Sequence, residues 1–227
     1  MQAYKDLTII GTSHISRDSI QQIRLFISQH KPGIVAVELD QARLTSLFAK
    51  KRPTPSIRDI RRMGVKGFLF ALIGGWFSRK LGKLVGVEPG SEIKEAIVEG
   101  RKAQARIALI DQPIEITLRK FSRSFSWREK WCLLVDLFKG FFGKKDPLMQ
   151  FDISKVPEKK VIRLLLQRLK QRYPSLHRVI IDERNYYMAR KIKALLSENP
   201  AVHILAVVGA GHEDEIIRIL KDNEFRA

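Results

Sequence analysis

The sequence predicts an α/β fold: a central, mainly parallel sheet flanked by helices, with a basic helical insertion. Three observations lead there. Four short apolar runs barely alternate, as strands buried on both faces do, and each ends at a glycine or an acid. The stretches between them carry apolar residues at helical spacing. The excess positive charge sits between these elements rather than on them.

The first run, 7–10, ends at Gly11. Ser16 then suits a helix cap, with Ile20, Ile23, Phe26 and Ile27 on one face and Lys31-Pro32-Gly33 as a stop. The second run, 34–37, ends at Glu38. Residues 51–62 are basic and hold Pro53 and Pro55; an apolar stretch from Phe68 to Phe77 follows, then Arg79 and Lys80. Glu88-Pro89-Gly90-Ser91-Glu92 opens a helix over 91–105, in which Ile93, Ala96, Ile97 and Ala103 share a face. The third run, 107–110, ends at Asp111. A second apolar piece runs from Trp131 to Phe142. Two helices, 158–172 and 175–197, are separated by Pro174. The fourth run, 203–208, ends at Gly209, and Glu213-Asp214-Glu215 suits the positive end of a last helix, about 213–222.

At 227 residues the chain is long enough to bury a core as a single domain, 1–227, without disulfides or metals. The composition, 44% hydrophobic and 29% charged, excludes wholesale disorder. A single cysteine, Cys132, excludes a disulfide framework and points to the cytoplasm. The N-terminus has no signal-peptide pattern, and no apolar run approaches the roughly 17–25 residues of a bilayer span. Net charge is +18. Residues 51–85 hold nine basic side chains and one acidic; residues 119–145 hold eight and two. Segments 51–85 and 119–182 are therefore expected to form a basic helical lid or insertion. The stretches 64–85 and 131–143 suit an anionic membrane surface or a homo-oligomer contact, with the cytoplasmic protein peripheral to the membrane. Charge alone speaks for nucleic acid, so no specific nucleic-acid partner is expected.

Ligands of an open parallel sheet bind beyond the carboxyl ends of its strands. There the four runs would bring His14, Glu38, Asp111 and His212 together, with Gly11, Gly209 and Gly211 allowing close backbone approach. Histidine is both a general base and a metal ligand near neutral pH, and two histidines with a carboxylate can hold a catalytic divalent ion. Glu88 and Glu92 also suit a helix start, and Glu183-Arg184-Asn185 falls within a predicted helix. Arg43 and Arg119 could each bind an anion or a carbonyl. Walker, HExxH and GxSxG motifs are absent from the sequence.

Several stretches, in order, resemble the TraB/PrgY family, within the wider group of Tiki proteases, GumN, ChaN-like proteins and erythromycin esterases. They are Gly11-Thr12-Ser13-His14, Val35-Ala36-Val37-Glu38-Leu39-Asp40 with Arg43, Gly86-Val87-Glu88-Pro89-Gly90-Ser91-Glu92, Leu109-Ile110-Asp111 with Arg119, Glu183-Arg184-Asn185, and Gly209-Ala210-Gly211-His212. The resemblance implies a site with two G-x-x-H motifs. The Tiki branch is associated with divalent-metal proteolysis, the esterase branch with histidine activation of water, and the TraB branch with shutdown of a peptide pheromone. Asp111-Gln112 departs from relatives that often have Asp-Arg there, and many relatives carry C-terminal membrane spans.

The same resemblance implies a hydrolase of a peptide or small ester-like substrate. His14 and His212 would be bases or ligands, Glu38 would complete the site, and Arg119, Glu183 and Arg184 would serve catalysis. Gly11, Arg43, Asn185, Gly209 and Gly211 would contact substrate. A divalent metal (Mn, Co or Zn) would be held by His14, Glu38, Glu88, Glu92 and His212. The alternative is a non-catalytic protein that sequesters a peptide on the same fold.

Overall fold

The computed structural model describes residues 1–12, 17–49, 90–124, 126–141 and 159–222. His14, Glu88, the whole lid segment 51–85 and part of 119–182 lie outside them. The described chain runs β1 (Gln2–Tyr4), β2 (Leu7–Thr12), α1 (Arg17–His30), β3 (Ile34–Val37), α2 (Gln41–Phe48), α3 (Ser91–Lys102), β4 (Arg106–Leu109), α4 (Ile114–Ser124), α5 (Trp127–Phe141), α6 (Lys159–Arg172), α7 (Pro174–His177), α8 (Glu183–Glu198), β5 (Ile204–Gly209) and α9 (Glu213–Lys221). A π-helical turn, Arg178–Asp182, joins α7 to α8.

The sheet has the order β1-β2-β5-β3-β4. β5, β3 and β4 follow β2 in parallel, and β1 pairs antiparallel with β2, which makes the sheet mixed but mainly parallel. The four apolar runs are thus the parallel strands, with ends that agree to within two residues. Beyond them the structure adds β1, α2 and α4, and begins α5 at Trp127, four residues ahead of the expected apolar piece.

β5 enters last yet lies in the middle, between β2 and β3, and its side chains separate the two faces. Ile204, Ala206 and Val208 join Met188, Ala189 and Ile192 of α8 and Ile216, Ile217 and Leu220 of α9. Leu205 and Val207 join Ile23, Phe26 and Ile27 of α1 and Ile93, Ala96 and Ile97 of α3. Alternation in a strand and the 3.6-residue repeat in its covering helices thereby build an α/β/α sandwich. The helix α3 starts at Gly90, whose φ of 84° favours glycine and where a Cβ would stand 3.3 Å from Leu47 Cδ1.

The region 175–197 is not one helix. Pro174 sits at the first position of α7, as its fixed φ allows. The π turn then closes with the Glu183 N–H donating to the Arg178 carbonyl, five residues back. His177, at the end of α7, is buried, with Nδ1 3.1 Å from Asp182 Oδ2.

Candidate functional site

The carboxyl ends of β3, β4 and β5 meet at one edge. Their ladder continues past the strands: Glu38 N–H donates to Val207 O (3.1 Å), Ile110 N–H to Val37 O (3.1 Å) and Asp111 N–H to Leu39 O (3.2 Å). Glu38 and Asp111 are thereby held side by side, both buried. Two carboxylates so placed need compensating charge, because isolated ions are costly to take from water.

Arg184 on α8 supplies it. Its Nη2 donates to Glu38 Oε1 and to Asp111 Oδ2 (2.6 Å), Nε to Asp111 Oδ1 (3.0 Å), and Nη1 to the Ile180 carbonyl in the π turn (3.2 Å). The fork on Asp111 is bidentate and charge-assisted on both sides. Burial works against the Arg184 charge, but Glu38 and Asp111 outweigh it and raise its proton affinity further. The second Glu38 oxygen, Oε2, accepts the Gly209 N–H at 2.5 Å.

Arg43 extends the network. It donates to Asp111 Oδ2 and, through Nε, to Asp40 Oδ2 (2.7 Å). Asp40 also caps α2 by accepting the Arg43 N–H (2.9 Å), and it takes the Ile114 N–H at the start of α4 (3.1 Å). Burial pushes the Asp40 carboxyl up, but the bonds from Arg43 and Ile114 prevail and hold it below the ordinary carboxylate value. A depressed group contributes stability above its unfolded pKa and loses it as pH falls through the folded one. Asp40→Ala is therefore expected to cost about 0.5–2 kcal/mol at pH 7 and clearly less near pH 3. Urea denaturation of both proteins at the two pH values checks this.

His212 completes the cluster from the turn between β5 and α9. It is buried, with Nδ1 2.5 Å from Asn185 Oδ1 and Nε2 3.5 Å from both Glu38 Oε1 and Arg184 Nη1. An amide oxygen only accepts, so Nδ1 carries the ring proton and Nε2 is the basic nitrogen. Asn185, fully buried, is the residue next to Arg184, and one turn of α8 thus sets both the ion-pair centre and the imidazole.

The structure brings Glu38, Arg43, Asp111, Arg184, Asn185, Gly209 and His212 together, and adds Asp40. Asp111 is legible as the acid that ends a strand, while Asp40 had only its place in a motif. Other expected residues take other places. Arg119 is on the exposed side of α4. Glu183 pairs with Lys120 (2.6 Å) and Arg178 (3.8 Å). Gly11 lies under Glu213, whose Oε2 would be 2.7 Å from an added Cβ, and so makes room for a side chain. A Cβ on Gly211 would meet Leu166 Cδ1 at an ordinary 3.6 Å. Glu92 is fully buried in the first turn of α3.

As a metal site the described donors do not fit. Both Glu38 oxygens are engaged, by Arg184 and by a backbone N–H, and a permanent guanidinium charge lies where a cation would have to approach. Among the described residues no three His, Cys, Asp or Glu side chains are grouped to hold an ion, so Glu92 does not complete one with Glu38 and His212. His14 and Glu88 are outside the described residues.

Residues 3–227 match the model of the TraB/PrgY/gumN family. An uncharacterised protein of Methanocaldococcus jannaschii is 33% identical over 224 residues, which cover 96% of this chain and 54% of that one. TraB domain-containing proteins of Bos taurus and Homo sapiens are 27% and 26% identical, covering 90% of this chain and 59% and 60% of theirs. The chain thus spans between about half and three-fifths of the length of these curated relatives. A solved erythromycin esterase mutant in its open conformation aligns at a TM-score of 0.34 with 13% identity, over 90% of this chain and 60% of that one, too distant a likeness to bear on chemistry. No helix among the described residues is long and apolar enough to cross a membrane.

Proposed function

The chain belongs to the TraB/PrgY/gumN family, and from that premise we propose that it hydrolyses a peptide or small ester-like bond with His212 as general base. The observation that supports this reading is the buried His212, with its tautomer set by Asn185 and its basic Nε2 beside Glu38. In the proposed step Nε2 removes a proton from water as the oxygen attacks the carbonyl carbon. The imidazolium that forms lies 3.5 Å from Glu38 Oε1, whose charge stabilises it. The proton then passes to the leaving nitrogen or oxygen as the tetrahedral intermediate collapses.

Arg184 acts on the neighbouring side chains rather than on the substrate. Its hydrogen bonds go to Glu38, Asp111 and Ile180, so it is a positioning residue that holds Glu38 beside the imidazole. Arg43 does the same for Asp111 from the other side.

The test is turnover of a panel of aryl esters and short peptides by the wild type and by His212→Ala. His212→Ala is expected to lower kcat/KM about 10²–10⁴-fold with an unchanged circular dichroism spectrum. Turnover is expected to survive EDTA. Loss on chelation that Mn²⁺, Co²⁺ or Zn²⁺ restores would replace the metal-free step. Saturable peptide binding without turnover would replace the hydrolase reading with sequestration.

A further inference from the structure

Helix α5 is mounted with its acids inward and its tryptophans outward. At about 100° per residue, Glu129 and Asp136 lie roughly opposite Trp127 and Trp131. Glu129 is 1% exposed and accepts from Ser126 N (2.9 Å), Ser126 Oγ (2.7 Å) and Ser175 N on α7 (2.7 Å). Asp136 accepts from Arg172 Nε (3.1 Å) and Nη2 (2.6 Å), and from the Tyr173 hydroxyl (2.6 Å). These bonds tie the polar side of α5 to the junction of α6 and α7.

On the outer side Trp127 is 76% exposed, Trp131 66% and Val135 42%, at four-residue spacing. Lys130 Nζ stands 3.9 Å from the Trp127 ring centroid, and Arg128 and Arg123 are exposed nearby in the chain. Glu129, buried, and Asp136, half-exposed and bonded to Arg172 and Tyr173, are the only acids of the sequence 119–145, and both lie on the side of α5 away from the tryptophans.

We propose that this face of α5 docks on an anionic lipid surface. Trp127 and Trp131 enter the headgroup boundary, where an amphipathic indole is at home, and Arg123, Arg128 and Lys130 meet lipid phosphates. Charge complementarity selects this occupant, since the basic side chains around the tryptophans would repel those of a second copy. The patch, 127–135, overlaps the expected stretch 131–143; the companion stretch 64–85 lies outside the described residues. The proposal is independent of the hydrolase reading.

The experiment is flotation of the full chain with phosphatidylcholine vesicles, with and without phosphatidylserine. Wild type is expected to float only with phosphatidylserine and to show a blue-shifted tryptophan emission there. Trp127→Ala/Trp131→Ala keeps every charge and is expected to weaken flotation about tenfold or more. Both side chains are exposed, so the fold should be retained, as circular dichroism would verify. Equal flotation by the double variant would mean attraction by net charge alone and would overturn the proposal. So would a lack of response to phosphatidylserine, or a dimer in light scattering that the double variant abolishes.

Discussion

Arg184→Met is expected to lower the stability of the fold by about 3–5 kcal/mol at pH 7. The substitution keeps much of the side-chain volume and removes the one cation that touches both Glu38 and Asp111 among the described residues. Both carboxylates are buried, with side-chain exposures of 5% and 0%, so water cannot take the guanidinium's place. Arg43 still reaches Asp111, whereas Glu38 keeps the Gly209 N–H and its imidazole neighbour. A buried carboxylate deprived of its cation relieves the cost by taking up a proton, so the deficit should shrink as pH is lowered. Urea denaturation from pH 7 to pH 5 measures both the size and the slope. A loss below about 1 kcal/mol, flat in pH, would mean that the network is solvated and does not hold this edge of the sheet.

Leu205→Ala is expected to cost about 2–5 kcal/mol, with no dependence on pH across the same range. Leu205 is fully buried at the centre of β5, paired with Thr8 of β2 on one side and Val35 of β3 on the other. Its side chain fills the layer between the sheet and α1 and α3, and neighbours fixed by two strands and two helices collapse poorly into the space left. Thermal and urea unfolding check the magnitude. The contrast with Arg184→Met separates an electrostatic loss from a packing loss in the same protein.

The core was legible because its signals are local. Leu205 and Val207 face one way and Ala206 and Val208 the other, and Ile93, Ala96 and Ile97 announce a helix by spacing alone. Helix α2 has no fully buried residue; it is eight residues long and only Leu44 and Leu47 pack, partly, against the core, too little for a helical period to register. β1 is three residues long, too short for a period of two to register. At the site, each strand-ending acid could be read from the sequence, but the choice of partner could not. Arg184 finds Asp111 73 residues away and Glu38 146 residues away, a pairing created by the crossover that brings β5 and α8 to the middle of the sheet. The expected set of site residues ran together side chains of similar type that the fold separates, such as Glu183, which turns to Lys120, and Arg184, which turns inward.

The π turn at Arg178–Asp182 gives this pairing a dependence on phase as well as on residue type. A turn widened by one residue advances everything after it by about 100° relative to an uninterrupted α-helix. Arg184 and Asn185 face the sheet edge because that extra residue is present, with the Ile180 carbonyl of the same turn accepting from Arg184. Correct side chains in a helix of ordinary pitch would aim elsewhere. The orientation of the candidate base is in this sense encoded by a count of residues upstream as well as by the identity of Asn185.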